Sequence, residues 1–124
     1  MSADASKEQV AFEREGGVTV ATLEVAEIAS MPHAIDLMAP FEQEIQLHRP
    51  EKLLIDLQHV KFISTTVINV LLVVLKRVRT YGGEVYLSGL GAAIGQVFET
   101  MRLTEIFEIH PDRQTALGRI GGEA

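Results

Sequence analysis

Residues 52–66 read Lys-Leu-Leu-Ile-Asp-Leu-Gln-His-Val-Lys-Phe-Ile-Ser-Thr-Thr, and the apolar run Val67–Leu75 follows them directly. The first six residues form a short, mostly apolar segment after a proline, which is typical of a central strand buried on both faces. Three hydroxyl residues then precede the apolar run, and such side chains favour helix starts because their oxygens accept unpaired backbone N–H groups. This stretch therefore predicts a buried strand, a loop and a long helix over 67–80.

The same alternation of strands and helices extends in both directions from this stretch. Strands that alternate with helices imply right-handed crossovers and a mostly parallel sheet. We therefore expect one α/β domain over 10–120, with a central sheet of about five strands, four helices and an antiparallel N-terminal strand pair. Before the central stretch, the predicted elements are strands 10–14 and 18–25 around the turn Gly16-Gly17, and a helix with apolar residues at helical spacing over 37–45. After it come a strand 84–88, a helix opened by Gly89-Leu90-Gly91 with the stripe Ile94, Val97, Phe98 and Met101, a strand 106–109, and a final helix that starts at Pro111.

The first predicted helix has an uncertain beginning in the sequence pattern. Ser30 is a candidate cap, with Pro32 in the first turn. Pro40 falls farther inside, and an internal proline removes one helical hydrogen bond. We therefore expect either a kink at Pro40 or a later start near Asp36.

Composition limits the kinds of function that fit this chain. The 124 residues carry 17 acidic and 11 basic side chains, a formal charge of −6, so the basic footprint of a DNA- or RNA-binding protein is missing. The chain has no cysteine, which leaves out disulfides and thiolate chemistry. The apolar run 67–75 is far shorter than the roughly 20 residues of a membrane span, and residues 1–9 lack a signal-peptide core. We expect a cytoplasmic domain without membrane insertion, with a flexible segment 1–9 and a tail 121–124.

A glycine-rich turn, Gly89–Gly95, is the first candidate site. It follows a predicted strand and opens a helix, and Glu108 lies in the next strand, as in a dinucleotide-binding fingerprint. The third glycine is one place late, however, and only one short strand–helix–strand unit follows. We favour a tight turn with close helix–sheet packing, and a nucleotide-binding enzyme that uses this turn remains the alternative.

Other catalytic patterns do not stand out in the sequence. The histidines, His33, His48, His59 and His110, are far apart and have no metal-ligand spacing. Neither a G-x-S-x-G nucleophile elbow nor a phosphate-binding G-x-x-x-x-G-K-[ST] loop occurs. We therefore expect no enzyme activity, no cofactor and no metal.

The hydroxyl cluster Ser64-Thr65-Thr66 is the remaining candidate. One of the three suffices as a helix cap, and the other two are then solvated or bonded within the turn. The functional interpretation is a phosphoacceptor, since a phosphate adds about −1.5 to −2 charge and strong acceptor oxygens. Local chemistry alone favours the structural interpretation.

Three segments together resemble a known family. Residues 53–66, the segment Tyr-Gly-Gly-Glu-Val-Tyr-Leu at 81–87 and the segment 98–109 are similar to the STAS domain of bacterial anti-sigma factor antagonists. The resemblance covers roughly 10–120 and is strongest from Leu53 onward. It implies a non-enzymatic binding module, a monomer or weak dimer, whose partner is an anti-sigma factor that is also a serine/threonine kinase.

The resemblance also implies a site. In the family, the loop before the helix reads Asp-Ser-Ser-Gly, and its first serine is phosphorylated by the partner kinase. These four positions match Ser64, Thr65, Thr66 and Val67, so Thr65 is the implied phosphoacceptor, with Ser64 and Thr66 as further candidates. Because both neighbours of the Thr65-Thr66 pair differ from the family pattern, a form that binds without being phosphorylated stays open, as does a STAS scaffold or transport-system subunit. The implied partner-binding residues are Phe62, Ser64, Thr65, Thr66, Val67 and Asn69.

Overall fold

The structure is a computed structural model that describes residues 10–24, 27–28 and 31–121. Its elements follow the alternation expected from the sequence. In chain order they are β1 (Val10–Glu15), β2 (Val18–Leu23), β3 (Glu27–Ile28), α1 (Met31–His48), β4 (Lys52–Asp56), β5 (Phe62–Ile63), α2 (Thr65–Arg79), β6 (Glu84–Ser88), α3 (Ala92–Thr100), a 3₁₀ turn (Leu103–Glu105), β7 (Glu108–His110) and α4 (Arg113–Ile120).

The main sheet has five strands in the order β1-β2-β4-β6-β7. β1 and β2 are antiparallel, and every other neighbouring pair is parallel. Gly16 and Gly17 join the first pair with φ values of +58° and +81°, the positive angles of a tight hairpin turn that suits the strand twist. The predicted fold class, with its five-stranded sheet, four helices and antiparallel N-terminal pair, is confirmed.

Helices cover both faces of the sheet, which explains why β2 and β4 are buried along nearly their whole length. Residues of α1, α2 and α3 pack on one face, where Phe41, Leu71 and Phe98 belong to the larger core. On the other face, Ala116 and Ile120 of α4 form a smaller core. This smaller core includes Val18, Val20 and Leu54 of the sheet. A sheet covered on both faces needs apolar residues at successive positions, as the sequence of 52–57 shows.

Several features differ from the expected elements. α2 begins at Thr65 rather than Val67, and α4 begins at Arg113 rather than Pro111, because Ser64 and Asp112 are the residues that cap them. α1 begins at Met31 and contains Pro40, so the later start near Asp36 is wrong; Leu37, Phe41 and Ile45 are all buried on its inner side and hold the helix on the core. The last strand is β7 at 108–110 rather than 106–109, because the 3₁₀ turn occupies the preceding residues. A separate parallel pair, β3–β5, was not expected. Ser30, residues 1–9 and residues 122–124 lie outside the described residues.

The register places four polar side chains in one row near the carboxyl ends of the parallel strands. Thr22 pairs with Asp56, Asp56 with Ser88, and Ser88 with His110. All four are buried. The loops that leave this edge lead to the starts of α2, α3 and α4, so the row lies beneath the part of the molecule where those helices begin.

Candidate functional site

Asp56 fixes the loop between β4 and the start of α2. Its carboxylate is fully buried and accepts hydrogen bonds from the Gln58 backbone N–H at 3.2 Å, from Gln58 Nε2 at 2.9 Å and from the Ser88 hydroxyl at 3.3 Å. The Leu57 N–H donates to the Ser88 carbonyl at 2.8 Å. Sequence reasoning missed this role, although an aspartate at the end of an otherwise apolar strand was a visible signal, since buried carboxylates need hydrogen-bond partners.

Ser64 is the N-cap of α2, as the hydroxyl pattern predicted. Its backbone is extended, with φ −95° and ψ 163°, and its Oγ accepts the Val67 N–H at 3.2 Å. The Ile68 N–H donates to the Ser64 carbonyl at 3.0 Å and begins the helical hydrogen-bond pattern. The Ser64 oxygen is therefore committed to its own helix and lies half-buried.

The neighbouring side chains form one exposed area around the first turns of α2. Thr65 and Asn69 are exposed, four residues apart on the same side of the helix, and Thr66 is half-buried. Phe62 precedes them on β5 and is 57 % exposed, so its ring adds apolar area to this part of the surface. We call Phe62, Ser64, Thr65, Thr66 and Asn69 the helix-start surface.

Val67 does not belong to the helix-start surface, contrary to its place among the implied partner-binding residues. Its side chain is 0 % exposed and packs in the larger core together with Ile68 and Leu71. The reason is the helix period: Thr65 and Asn69 lie on the outer side of the helix, and Val67, about half a turn from each of them, faces the sheet. A branched side chain here adds to the core and leaves nothing for a partner to touch.

The electrostatic character of the helix-start surface comes from the helix itself. The first turn of α2 carries no acidic residue, and Lys76, Arg77 and Arg79 lie in its last turn. The unpaired N–H groups and the macrodipole give the N-terminus a partial positive charge. This end of α2 can accommodate a negative group, and without one it offers small hydroxyls and an exposed aromatic ring.

The glycine turn between β6 and α3 has the geometry of a packing turn. Gly89 has φ +74°, and a Cβ there would lie 2.8 Å from Asp56 Oδ1, so glycine is required by both conformation and space. Gly91 caps α3, and Gly95 lies within the helix, where its N–H donates to the Gly91 carbonyl at 2.8 Å. Glu99 and Glu108 lie beside the turn, and their negative charges disfavour a pyrophosphate there.

His48 contacts Glu44, His110 contacts Glu108, and His59 lies exposed in the loop after β4. Within 10–24, 27–28 and 31–121, no group of three or more His, Asp or Glu side chains is arranged to hold a metal ion. No helix in the described part of the chain is long and apolar enough to cross a membrane.

Comparison with known proteins agrees with the fold. The STAS domain profile matches residues 5–116. An anti-sigma factor antagonist from Mycobacterium paratuberculosis superposes with a TM-score of 0.79 and 22 % identity over 90 % of this chain and 92 % of that chain. An anti-sigma-factor antagonist (STAS) domain protein from Planctomyces limnophilus superposes with a TM-score of 0.78 and 22 % identity, over 87 % of this chain and 93 % of that chain. The Bacillus cell fate determinant SpoIIAA in its phosphorylated form superposes with a TM-score of 0.68 and 13 % identity, over 90 % of this chain and 98 % of that chain.

These similarities confirm the resemblance found in the sequence. At 13 to 22 % identity the solved structures show a shared fold. The family profile goes further, because it covers most of the chain, including β4, the helix-start surface and α3. The chain therefore belongs to the STAS domain family.

Proposed function

We propose that this STAS domain is an anti-sigma factor antagonist, a cytoplasmic binding protein without catalytic activity of its own. It captures an anti-sigma factor with serine/threonine kinase activity through the helix-start surface. Phosphorylation of Thr65 by that partner releases it. The observation that carries the proposal is the exposed Thr65 hydroxyl at the start of α2, beside the exposed Phe62 ring.

Exposure and hydrogen bonding favour Thr65 over the two other hydroxyls. Ser64 Oγ accepts the Val67 N–H, so a phosphate on Ser64 would replace a cap that the helix already uses. Thr66 is half-buried against the helix, whereas Thr65 is exposed. A kinase must surround the acceptor side chain, and Thr65 offers the best access.

The effect of a phosphate follows from where its charge is placed. A phosphate on Thr65 adds about −1.5 to −2 charge beside a helix N-terminus, which its own helix tolerates well. Within a complex, the same charge must lose water or face acidic groups of the partner, and both effects weaken binding. Phosphorylation therefore destabilises the complex and leaves the fold of the antagonist intact.

This mechanism makes a prediction for two substitutions of Thr65. Thr65→Ala removes the acceptor and adds no charge, so its affinity for the partner kinase stays within about twofold of the unmodified protein. Thr65→Asp adds a negative charge and weakens binding about 5- to 150-fold, the usual range of coupling between two events on one protein. Isothermal titration calorimetry with the purified partner measures both values.

A matched control separates a local effect from a change in total charge. Gln114 is exposed in the first turn of α4, which packs on the opposite face of the sheet, so Gln114→Asp adds the same charge away from the helix-start surface. We expect this variant to bind like the unmodified protein. Equal affinities of Thr65→Ala and Thr65→Asp would rule out the phosphorylation switch.

The partner and the acceptor need a direct test. Incubation with ATP and the candidate kinases of the host, followed by peptide mass mapping, is expected to place one phosphate on Thr65. Modification of another residue, or of none, would contradict the proposed site. Purification of the chain with its cellular partners separates the two binding roles, since an ATP-binding kinase supports the antagonist and a large assembly or a transporter supports a scaffold or transport subunit.

A further inference from the structure

A second candidate site lies at the other end of the sheet from β1. A groove of about 560 Å³ opens between α3, the 3₁₀ turn and the outer edge of β7. Its volume is within the range of small-molecule sites. We call it the β7 groove and define it by Leu90, Phe98, Glu99, Phe107, Glu108 and His110, none of which belongs to the helix-start surface.

The base of the β7 groove is apolar and well packed. The Phe98 and Phe107 rings are almost completely buried, with centroids 6.2 Å apart and planes tilted by 53°. Leu90 and Ile109 are half-buried beside them and leave apolar surface open to a ligand. A base built on buried rings keeps its shape, so an apolar ligand would meet a preformed surface.

The polar groups of the β7 groove are acidic. Glu99 and Glu108 are exposed at its rim, and the residues that line it include no lysine or arginine. His110 is 7 % exposed, and its Nε2 lies 2.9 Å from Glu108 Oε2. This contact holds the Glu108 carboxylate in place beside the groove.

We propose that the β7 groove binds a small organic cation, an ammonium group carried on an apolar body. The apolar body packs over Leu90 and the base, and the ammonium group lies between Glu99 and Glu108. The arrangement of a few polar groups around an apolar base is the usual composition of a ligand site. The two carboxylates select positive charge and exclude anions.

A matched ligand series tests this proposal on the full chain. 2-Phenylethylamine, 2-phenylethanol and 3-phenylpropionate share a phenyl ring on a short chain and end in a cation, a neutral hydroxyl and an anion. Titrations followed by ¹H–¹⁵N NMR are expected to shift the amide signals of Gly95, Glu99 and Ile109. We expect the amine to bind about threefold to tenfold more tightly than the alcohol, and the anion to bind most weakly.

Charge-removing variants connect this selectivity to the named carboxylates. Glu99→Gln and Glu108→Gln are each expected to lower the affinity for the amine about twofold to fivefold and to leave the affinity for the alcohol unchanged. Glu105→Gln is the control, because Glu105 is exposed on the adjacent 3₁₀ turn and does not line the groove. It removes the same charge from a chain of net charge −6. Glu99 has no part in the His110 contact, so its variant keeps the test valid if Glu108→Gln disturbs the strand.

Three results would overturn the proposal. The first is binding of the alcohol at least as tightly as the amine, which would show an apolar cleft without selection for charge. The second is an equal loss of amine affinity in Glu105→Gln and the two groove variants, which would show attraction by total charge alone. The third is the absence of saturable shifts at the groove with every member of the series.

Discussion

Asp56 and Gly89 lie close together at the C-terminal edge of the sheet, and the Asp56 carboxylate leaves no room for a side chain at position 89. The buried Asp56 carboxylate needs donors, which Gln58 and Ser88 supply. The chain leaving β6 must pass close to that carboxylate, and a Cβ on Gly89 would also lie 3.1 Å from the Gln58 backbone nitrogen. A glycine with positive φ is the residue that satisfies both conditions.

At the residue scale, we predict opposite effects for two glycine-to-alanine substitutions. Gly89→Ala introduces a Cβ at φ +74° against Asp56 and destabilises the fold by about 1–3 kcal/mol. Gly118→Ala lies inside α4, where a Cβ meets no atom within 4 Å, and stabilises it by roughly 0.5–1 kcal/mol through helix propensity. Urea unfolding measures both free energies, and a neutral Gly89→Ala would contradict this account of the turn.

At the scale of single elements, α2 and α3 use their apolar residues differently. α2 lies across the sheet and buries a wide side that includes Val67, Leu71, Val74 and Val78. α3 packs near the sheet edge, so Ile94 and Phe98 are buried, whereas Val97 and Met101 are 36 % and 43 % exposed. The predicted four-residue stripe of α3 is therefore only half buried. A helix at the edge of a sheet has neighbours on one side only, and the sequence pattern does not show where that edge lies.

The cap of α2 supports a prediction for that element. Ser64→Ala removes the oxygen that accepts the Val67 N–H and lowers the free energy of unfolding by about 0.5–2 kcal/mol. Ser64→Asp keeps an acceptor and adds a negative charge at the positive end of the helix, so its stability equals or exceeds that of the unmodified protein. Thermal and urea unfolding of the three proteins measure the differences. An alanine variant as stable as the unmodified protein would show that the cap contributes nothing.

At the scale of the whole molecule, α4 joins the central strand β4 to the edge strand β1. Lys52 Nζ donates to the Ile120 carbonyl at 2.7 Å at the helix C-terminus. Near its N-terminus, Arg113 pairs with Glu13 and with Glu15, the latter at 3.0 Å. Between these contacts, Ala116 and Ile120 cover Val18, Val20 and Leu54. Loss of α4 would uncover the smaller core, so its cap matters for the entire fold.

Because Asp112 caps α4, we predict that the stability of the fold changes with pH. The backbone hydrogen bond from Thr115 lowers the pKa of Asp112 below its ordinary value of 3.8. A lowered pKa in the folded state means that the ionised form stabilises the fold above about pH 4, and that this contribution is lost as the pH falls through the folded-state pKa. Asp112→Asn keeps a capping oxygen and does not titrate. We expect the unmodified protein to melt at a higher temperature than Asp112→Asn at pH 6, and this difference in melting temperature to shrink toward pH 2.5. A difference that does not change with pH would contradict the role of the ionised Asp112 carboxylate.

The sequence by itself determined the features that depend on residues close together in the chain. The turn at Gly16-Gly17, strand 84–88, the Ser64 cap and the order of strands and helices follow from local backbone preferences and hydrophobic period. The exposure of Thr65 and Asn69 fits the same helix period.

Only the tertiary structure decided the features that join distant residues. The β3–β5 pair brings Glu27 beside Phe62, and neither two-residue strand has a pattern of its own. The burial of Val67, the hydrogen bond between Ser88 and Asp56, and the β7 groove likewise depend on which strands become neighbours. Local preferences act over a few residues, whereas these contacts form only when the packing of the sheet and its helices brings distant parts of the chain together.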